Sequence, residues 1–251
     1  MVAAGFTDVG QTRKHNQDSI YVSTGRVGPL PNLFIVADGM GGHNAGDVAS
    51  KRAIEVVCAY LQSSGQTSLT EPDEYLDLLV GAAEHANDEI YNEGSESFDK
   101  RGMGTTLTLC VVNGGFILVV HVGDSRAYKI TSDSNIEQIT TDHTYVEELL
   151  AANRISPEQA RTHPRRHVVT KVLGTRGPCQ ADGMAVPAEG ISAVLLCSDG
   201  LSNMLDNDAI KDIMTNPSQV PARALCLISE ANAKGGHDNI SAIIIDLNEV
   251  S

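Results

Sequence analysis

The sequence predicts an α+β fold in which antiparallel sheets are covered by helices. Two segments, 44–61 and 74–91, carry apolar residues at i, i+3 and i+4 spacing, which is typical of amphipathic helices. Residues 104–139 hold β-branched runs separated by turn residues, which is typical of hairpins in an antiparallel sheet. The helices come as a pair and do not alternate with single strands, so a repeated βαβ unit is disfavoured.

The remaining elements follow from the same periodicities. Three short strands precede the helices, and turns at 113–115 and 132–135 divide the hairpin region. A helical stretch near 144–152 then leads into an irregular basic segment. The other predicted elements, in chain order, are strands over 2–7, 20–23, 33–37, 191–197 and 240–247, and helices near 208–214 and 222–233. No repeat or linker divides the chain, so one domain is predicted over 1–251.

Composition excludes several classes of protein. With 41% hydrophobic residues the chain of 251 residues is not expected to be disordered, and no apolar run reaches the roughly 18–20 residues of a membrane span. No secretory signal is visible at the N-terminus. Five widely spaced cysteines favour free thiols in a cytoplasmic protein over a disulfide scaffold or zinc ribbon. A net charge of −14 disfavours nucleic acid as a partner.

Five aspartates share one context, because each lies where an apolar strand ends or begins. Asp38, Asp124 and Asp199 follow the runs LFIVA, FILVVHVG and VLLCS, whereas Asp18 and Asp238 precede SIYV and NISAIII. In an antiparallel sheet, the end of one strand and the start of its neighbour lie at the same edge. The five side chains are therefore predicted to converge on one patch.

Such convergence has an electrostatic cost that indicates a ligand. Two carboxylates about 4 Å apart repel by about 4 kcal/mol at an effective dielectric of about 20. Protons or cations must neutralise the cluster, and hard cations such as Mg²⁺ and Mn²⁺ prefer oxygen ligands. The alternative is that Asp38-Gly39 and Asp199-Gly200 are plain Asp-Gly turns. We expect only a turn for Asp182-Gly183, which no apolar strand precedes.

Competing catalytic motifs are missing from the sequence. There is no nucleotide-binding P-loop, zincin H-E-x-x-H, serine-hydrolase G-x-S-x-G or EF-hand loop. None of the five cysteines has an arginine six positions on, so a C-x5-R phosphate loop is excluded as well.

Seven blocks resemble the motifs of the metal-dependent protein phosphatases, the PPM or type 2C family, in its compact bacterial form. In chain order they are TDVGQTRKHNQDS (7–19), VADGMGGH (36–43), MGTT (103–106), HVGDSRAY (121–128), TTDHT (140–144), LCSDGL (196–201) and GGHDNIS (235–241). They span essentially the whole chain. The resemblance implies a four-layer αββα sandwich with metals in a cleft at one edge.

The resemblance also implies a role for each aspartate. Asp38 would bridge two Mg²⁺ or Mn²⁺ ions, Asp199 and Asp238 would complete the first site, and the Gly39 carbonyl would bind the second ion. Asp124 with Asp199 would hold a third, weaker ion. The implied reaction is direct in-line attack of a metal-bridging water or hydroxide on phosphoserine or phosphothreonine, with no covalent phosphoenzyme.

Further residues receive supporting roles. Asp18 would act near the second ion through water, and Arg13 matches the phosphate-binding arginine of the family, whose planar fork suits two phosphate oxygens. His43 lies three residues beyond the position where some members carry a catalytic histidine. It is a candidate general acid, substrate-positioning residue or polar group at a helix start. His121, Arg126 and Thr144 are expected to pack or hydrogen bond around the cleft, and Met103–Thr106 to pack the cleft-side strand.

Residues 143–180, which we call the flap, are basic in an acidic chain. They hold six Lys or Arg against three acidic residues. The resemblance places them beside the metals. Arg165 and Arg166, in THPRRH (162–167), are predicted to steer phosphorylated protein substrates towards the cleft, and the alternative is a solvated loop that contacts nothing.

The predicted function is a Mg²⁺- or Mn²⁺-dependent serine/threonine protein phosphatase, cytoplasmic and monomeric. One alternative is a pseudophosphatase that binds without catalysis, although such proteins usually lose metal-binding aspartates and none is missing here. The other is a hydrolase that uses the same metal centre on small phosphoesters or nucleotides.

Overall fold

The structure is a computed structural model that describes residues 1–41, 45–65, 69–96 and 98–248. Its strands are β1 (Val2–Asp8), β2 (Asp18–Ser23), β3 (Leu33–Met40), β4 (Gly104–Thr105), β5 (Leu107–Asn113), β6 (Phe116–Val122), β7 (Arg126–Thr131), β8 (Ile136–Gln138), β9 (Asp182–Pro187), β10 (Ile191–Cys197) and β11 (Ile240–Asp246). Its α-helices are α1 (Ala45–Ser63), α2 (Pro72–Glu96), α3 (Tyr145–Ala151), α4 (Pro157–Thr162), α5 (Asp199–Ser202), α6 (Asn207–Met214) and α7 (Val220–Ala233).

The strands form two antiparallel sheets. One sheet has the order β1-β11-β10-β7-β8, and the other has the order β2-β3-β5-β6-β9, with the short β4 paired to β3. Strands β5 and β6 form one predicted hairpin, and β7 and β8 form the other. The two hairpins belong to different sheets, so the chain crosses from one sheet to the other at residues 123–125.

Three apolar clusters divide the molecule into four layers. One lies between the β2-β3-β5-β6-β9 sheet and helices α1 and α2, and a second lies between the other sheet and helices α5, α6 and α7. The third lies between the two sheets and includes Phe34, Val36, Val119, Val194 and Ile243. The αββα arrangement implied by the resemblance is therefore confirmed, because each sheet buries one face against its partner and the other against helices.

The structure corrects three details of the sequence-based prediction. Asp182 begins the edge strand β9, so the expectation of a plain turn at Asp182-Gly183 was wrong. Strand β3 continues through Asp38 to Met40 and does not stop at residue 37. The short helices α4 and α5 were not predicted, because one or two turns carry too little periodicity to detect.

Neither disulfides nor a membrane-spanning helix contributes to this architecture in the described part of the chain. All five cysteines are free, and three of them are buried. No described helix is both long and apolar enough to cross a bilayer.

Replacing Phe34 by alanine tests the inter-sheet core. Phe34 is fully buried between the sheets, so Phe34→Ala should lower the free energy of unfolding by about 3–5 kcal/mol through lost burial and a residual cavity. Phe98→Ala is the matched control, because that ring is 85% exposed and its loss should change stability by no more than about 0.5 kcal/mol. Urea denaturation measures both, and equal losses would contradict the layered core.

Candidate active site

A cavity of about 620 Å³ opens where the end of β3, the turn after β6, the start of α5 and the loop before β11 meet. Its walls include seven of the ten predicted site residues. The seven are Arg13, Asp38, Gly39, Asp124, Arg166, Asp199 and Asp238. The cavity thus brings together four of the five aspartates that the strand pattern singled out.

Asp38 lies in β3, and two threonines hold its backbone. The Asp38 N–H donates to Thr106 Oγ1 (2.9 Å), and the Asp38 carbonyl accepts from the Thr106 N–H (2.9 Å) and from Thr105 Oγ1 (2.9 Å). The MGTT block therefore does more than pack the strand. Gly39 follows in close contact with Gly46, whose carbonyl oxygen would lie 2.0 Å from a Cβ on Gly39. Only glycine fits there, which keeps the backbone open to the cavity.

Asp18 lies behind the cavity wall, directly across from Asp38 in the β2–β3 register. Its Oδ2 accepts hydrogen bonds from Ser198 Oγ (2.7 Å) and Ser241 Oγ (2.6 Å). Its buried Oδ1 has no hydrogen-bond partner among the described residues. The two serines were not identified from the sequence, because isolated serines in strands carry no signal until the sheets are stacked.

Asp199 and Asp124 approach the cavity from two different connections. Asp199 is the first residue of helix α5, and its Oδ2 accepts from Asn203 Nδ2 (3.1 Å). Its Oδ1 is buried and has no partner in the part of the chain that the structure describes. Asp124 lies in the turn that crosses between the sheets. Nearby, Arg126 donates three hydrogen bonds of 2.7–3.0 Å to Asp142.

Asp238 and Arg13 form an ion pair at the mouth of the cavity. Arg13 Nη2 lies 2.8 Å from Asp238 Oδ2, and both side chains are partly exposed. The other carboxylate oxygen accepts from the Asn239 N–H (2.9 Å). The arginine predicted to bind phosphate is therefore held beside a predicted metal ligand.

The electrostatics of the cluster favour a bound cation. Burial raises the pKa of Asp18 and of Asp124 to about 7, and neighbouring carboxylates add to the rise. Burial and the charges of the other four aspartates raise the pKa of Asp38 well above its usual range. The pKa of Asp199 is raised by burial and by Asp238. These carboxylates are costly to ionise together, and a positive charge among them would remove the cost.

The donor set fits hard divalent cations. The convergent aspartates and the Gly39 carbonyl offer oxygen ligands, and Asp18 Oδ1 and Asp199 Oδ1 have no hydrogen-bond partner among the described residues. No three His, Cys, Asp or Glu side chains in the described ranges already form a closed ligand set. In this structure Asp18, Asp199 and Asp238 instead accept hydrogen bonds from Ser198, Asn203 and Arg13.

The basic residues of the flap divide into two groups. Arg166 and His167 line the cavity beside Asp124 and Asp199. Arg165 does not line it, because its guanidinium lies 5.2 Å from the centre of the Tyr145 ring. Arg166 therefore lies at the cavity, whereas Arg165 lies against Tyr145. His43 lies outside the described residues.

Comparisons with known proteins find similarity to protein phosphatases. The chain matches the family model described as protein phosphatase 2C over residues 10–224. It is 36% identical over 242 residues to the serine/threonine phosphatase stp of Listeria innocua, covering 96% of this chain and 94% of that protein. It is 35% identical over 245 residues to the protein phosphatase PhpP of Streptococcus pneumoniae, covering 97% and 96%.

Solved structures agree. A serine/threonine phosphatase of Streptococcus agalactiae superposes with a TM-score of 0.88 at 34% identity, covering 98% of this chain and 99% of that one. The catalytic domain of the serine/threonine phosphatase PstP, solved with two manganese ions, superposes with a TM-score of 0.79 at 32% identity, covering 98% and 97%.

Fold and cavity together define a four-layer α+β sandwich with an acidic cleft at one edge. The chain belongs to the protein phosphatase 2C family.

The pH dependence of stability tests the raised pKa values. Asp18 and Asp124 titrate near 7 in the folded protein but near 4 when unfolded. Between those values the folded state binds more protons than the unfolded state, so stability falls as pH rises from about 4 to about 7. The melting temperature of chelator-treated protein should follow this fall, and excess Mn²⁺ should remove it because cations replace the protons. A metal-free melting temperature that rises across this window would contradict the cluster.

Proposed function

We propose that this protein is a metal-dependent serine/threonine protein phosphatase whose catalytic centre is the acidic cleft. The observation that carries the proposal is the set of buried carboxylates with raised pKa values, which share one cavity with Arg13. Membership of the protein phosphatase 2C family and the manganese-bound PstP neighbour support the metal dependence.

The cation ligands are proposed residue by residue. Asp38 would serve two ions, Asp199 and Asp238 would complete the first site, and the Gly39 carbonyl would complete the second. Asp124 together with Asp199 would hold a third, weaker ion. When bound, a pair of Mg²⁺ or Mn²⁺ ions supplies a shared water of lowered pKa as the nucleophile and neutralises phosphate charge.

The chain's own groups position these parts. Thr105 and Thr106 hold the Asp38 backbone, so its carboxylate is aimed by the strand and not by a flexible loop. Asp18, whose carboxyl accepts hydrogen bonds from two serines, lies behind the site and would act on it through water. No covalent nucleophile is needed, in agreement with burial of Cys110 and Cys197, which raises the pKa of each thiol to about 12.

Arg13 is proposed to bind the substrate phosphate. In this structure the Asp238 carboxylate pairs with Arg13. If Asp238 bound a cation instead, this ion pair would weaken, and the Arg13 guanidinium could donate to two phosphate oxygens. The ion pair in this structure thus keeps Arg13 at the cleft mouth, close to where a phosphate would lie.

The flap is proposed to favour phosphorylated proteins over small phosphoesters. Arg166 places positive charge at the rim of a cleft in a chain of net charge −14. Phosphorylated chains would otherwise be repelled by the acidic surface. A single domain over 1–251 with residues 143–180 as the flap, a cytoplasmic location and a monomeric state remain predictions.

Asp38→Ala tests the metal-dependent reaction. Wild-type protein with Mn²⁺ should release phosphate from a phosphothreonine peptide, and chelator should abolish the release. Asp38→Ala should lower kcat by more than about 100-fold because a shared ligand is lost. Asp208→Ala is the control, since that aspartate is exposed and contacts only Lys211 among the described residues. Wild-type protein that binds Mn²⁺ but releases no phosphate would instead indicate a pseudophosphatase.

Comparing Arg166→Ala with Arg165→Ala tests the flap. Arg166 lines the cleft and Arg165 lies on Tyr145, so Arg166→Ala alone should raise KM for a phosphoprotein, by about three- to tenfold. KM for a small aryl phosphate should stay unchanged in both variants. Equal KM values for all three proteins on the phosphoprotein would favour a solvated loop, and loss on both substrates would favour a small-phosphoester hydrolase.

A further inference from the structure

His143 is a buried residue with no role in the cleft described above. It lies at the first position of the flap, is 7% exposed, and is not among the residues that line the cavity. Its carbonyl accepts from the Thr170 N–H (2.8 Å), which lies in the later part of the flap. The polar atoms of a buried imidazole need hydrogen-bond partners within the protein.

The imidazole and the backbone of His143 both bind Gly123, the residue directly before Asp124. The Gly123 N–H donates to His143 Nδ1 (3.0 Å), and the His143 N–H donates to the Gly123 carbonyl (2.7 Å). His143 thus satisfies both backbone groups of Gly123, as a neighbouring strand would. The φ of Gly123 is +116°, a conformation that favours glycine, and a Cβ at this position would collide with the Thr106 side chain. The turn therefore has an unusual backbone conformation, and the two hydrogen bonds from His143 help to hold it.

The hydrogen bonds determine which nitrogen of His143 carries the proton. A backbone N–H can only donate, so Nδ1 must accept and Nε2 must be protonated in the neutral ring. Nε2–H then donates to Asp182 Oδ2 (3.1 Å). Lys171 Nζ, 3.3 Å from Asp182 Oδ1, neutralises that carboxylate.

The ring of His121 also contacts the ring of His143. The rings of His143 and His121 stack with centroids 4.9 Å apart and an interplanar angle of 25°. His121 is fully buried, its Nδ1 lies 2.9 Å from Thr108 Oγ1, and its backbone pairs with Asp182 across β6 and β9. Asp182, the His121 ring and the Gly123 backbone N–H therefore all contact the His143 imidazole. Contacts of this kind, made by residues that do not bind the metal themselves, orient the residues that do.

We infer that His143 is a positioning residue for the cation site at Asp124, holding the Gly123–Asp124 turn through Nδ1 while Asp182 fixes its tautomer. The inference rests on the proposed function, in which Asp124 binds the third and weakest ion. The ions at Asp38 and Asp238 are held by other elements. Loss of the His143 contact therefore weakens one site selectively.

Two isosteric replacements separate the contacts of the ring. Asparagine places an amide oxygen near the position of Nδ1, so His143→Asn keeps an acceptor for Gly123 and loses the bond to Asp182. Glutamine reaches the position of Nε2, so His143→Gln keeps a donor for Asp182 and loses the acceptor for Gly123. A role that is only packing would make the two variants equivalent.

The experiment is calorimetric titration of metal-free protein with Mn²⁺, followed by kcat and KM on a phosphopeptide. His143→Gln should weaken the lowest-affinity Mn²⁺ site at least tenfold and leave the tighter sites unchanged, whereas His143→Asn should stay near wild type. Asp124→Ala should remove the same site, and adding His143→Gln to Asp124→Ala should have no further effect on Mn²⁺ binding.

Each other outcome overturns the inference. These are unchanged Mn²⁺ binding in His143→Gln, equal weakening in both His143 variants, weakening of all sites together, or wild-type protein with no third site. If His143→Gln does not fold, Asp182→Ala replaces it, since this change removes the partly exposed carboxylate that fixes the tautomer and should weaken the same site by a smaller factor. Lys171→Met is its control, because it removes the other partner of Asp182 and leaves the bond to His143 in place. Failure of the proposed function is separable, because it would appear as wild-type protein that binds Mn²⁺ and releases no phosphate.

Discussion

The repulsion among buried carboxylates at one edge of the sandwich is the constraint on which the rest of the structure depends. Burial and mutual charge raise the pKa of Asp18, Asp38, Asp124 and Asp199. A fold selected for stability alone would not gather these groups, because each buried charge costs desolvation energy that only a partner can offset. The cluster is explained when divalent cations provide that partner, and the same ions then perform the chemistry of the family.

The two-sheet architecture makes the convergence possible. Asp38 and Asp18 come from one sheet, whereas Asp199 and Asp238 flank β10 and β11 of the other. Asp124 lies where the chain passes between them. The apolar cluster between the sheets therefore does two things, since it supplies burial free energy and sets the distance between the two halves of the site. Strands and their immediate ends carry the acids of the cleft, and sites built on such elements are placed more precisely than sites on loops.

Hydroxyl and imidazole side chains around the aspartates help to position the acids. Thr106 holds the Asp38 backbone, Ser198 and Ser241 hold the Asp18 carboxylate, and His143 holds the turn before Asp124. None of these groups needs to touch substrate to matter, because metal affinity depends on the orientation of the ligands as well as on their identity. Outside this shell, the basic rim of the flap lies in an otherwise acidic protein and is the part of the surface best suited to meet a phosphorylated chain.

The sequence by itself predicted sheets covered by helices and an acidic patch, and the resemblance of its motifs to a known family implied the four layers. Periodicity identified the long helices and the hairpins, and the position of each aspartate beside an apolar strand was enough to predict that they converge. The short elements β9 and α5 were not predicted, because they bury too few consecutive residues to produce a recognisable pattern. Only the tertiary structure decided that the two hairpins lie in different sheets, that Arg166 and not Arg165 faces the cleft, and that His143 supports Gly123. Those contacts join residues that are distant in the chain, and local periodicity carries no information about which distant partners meet.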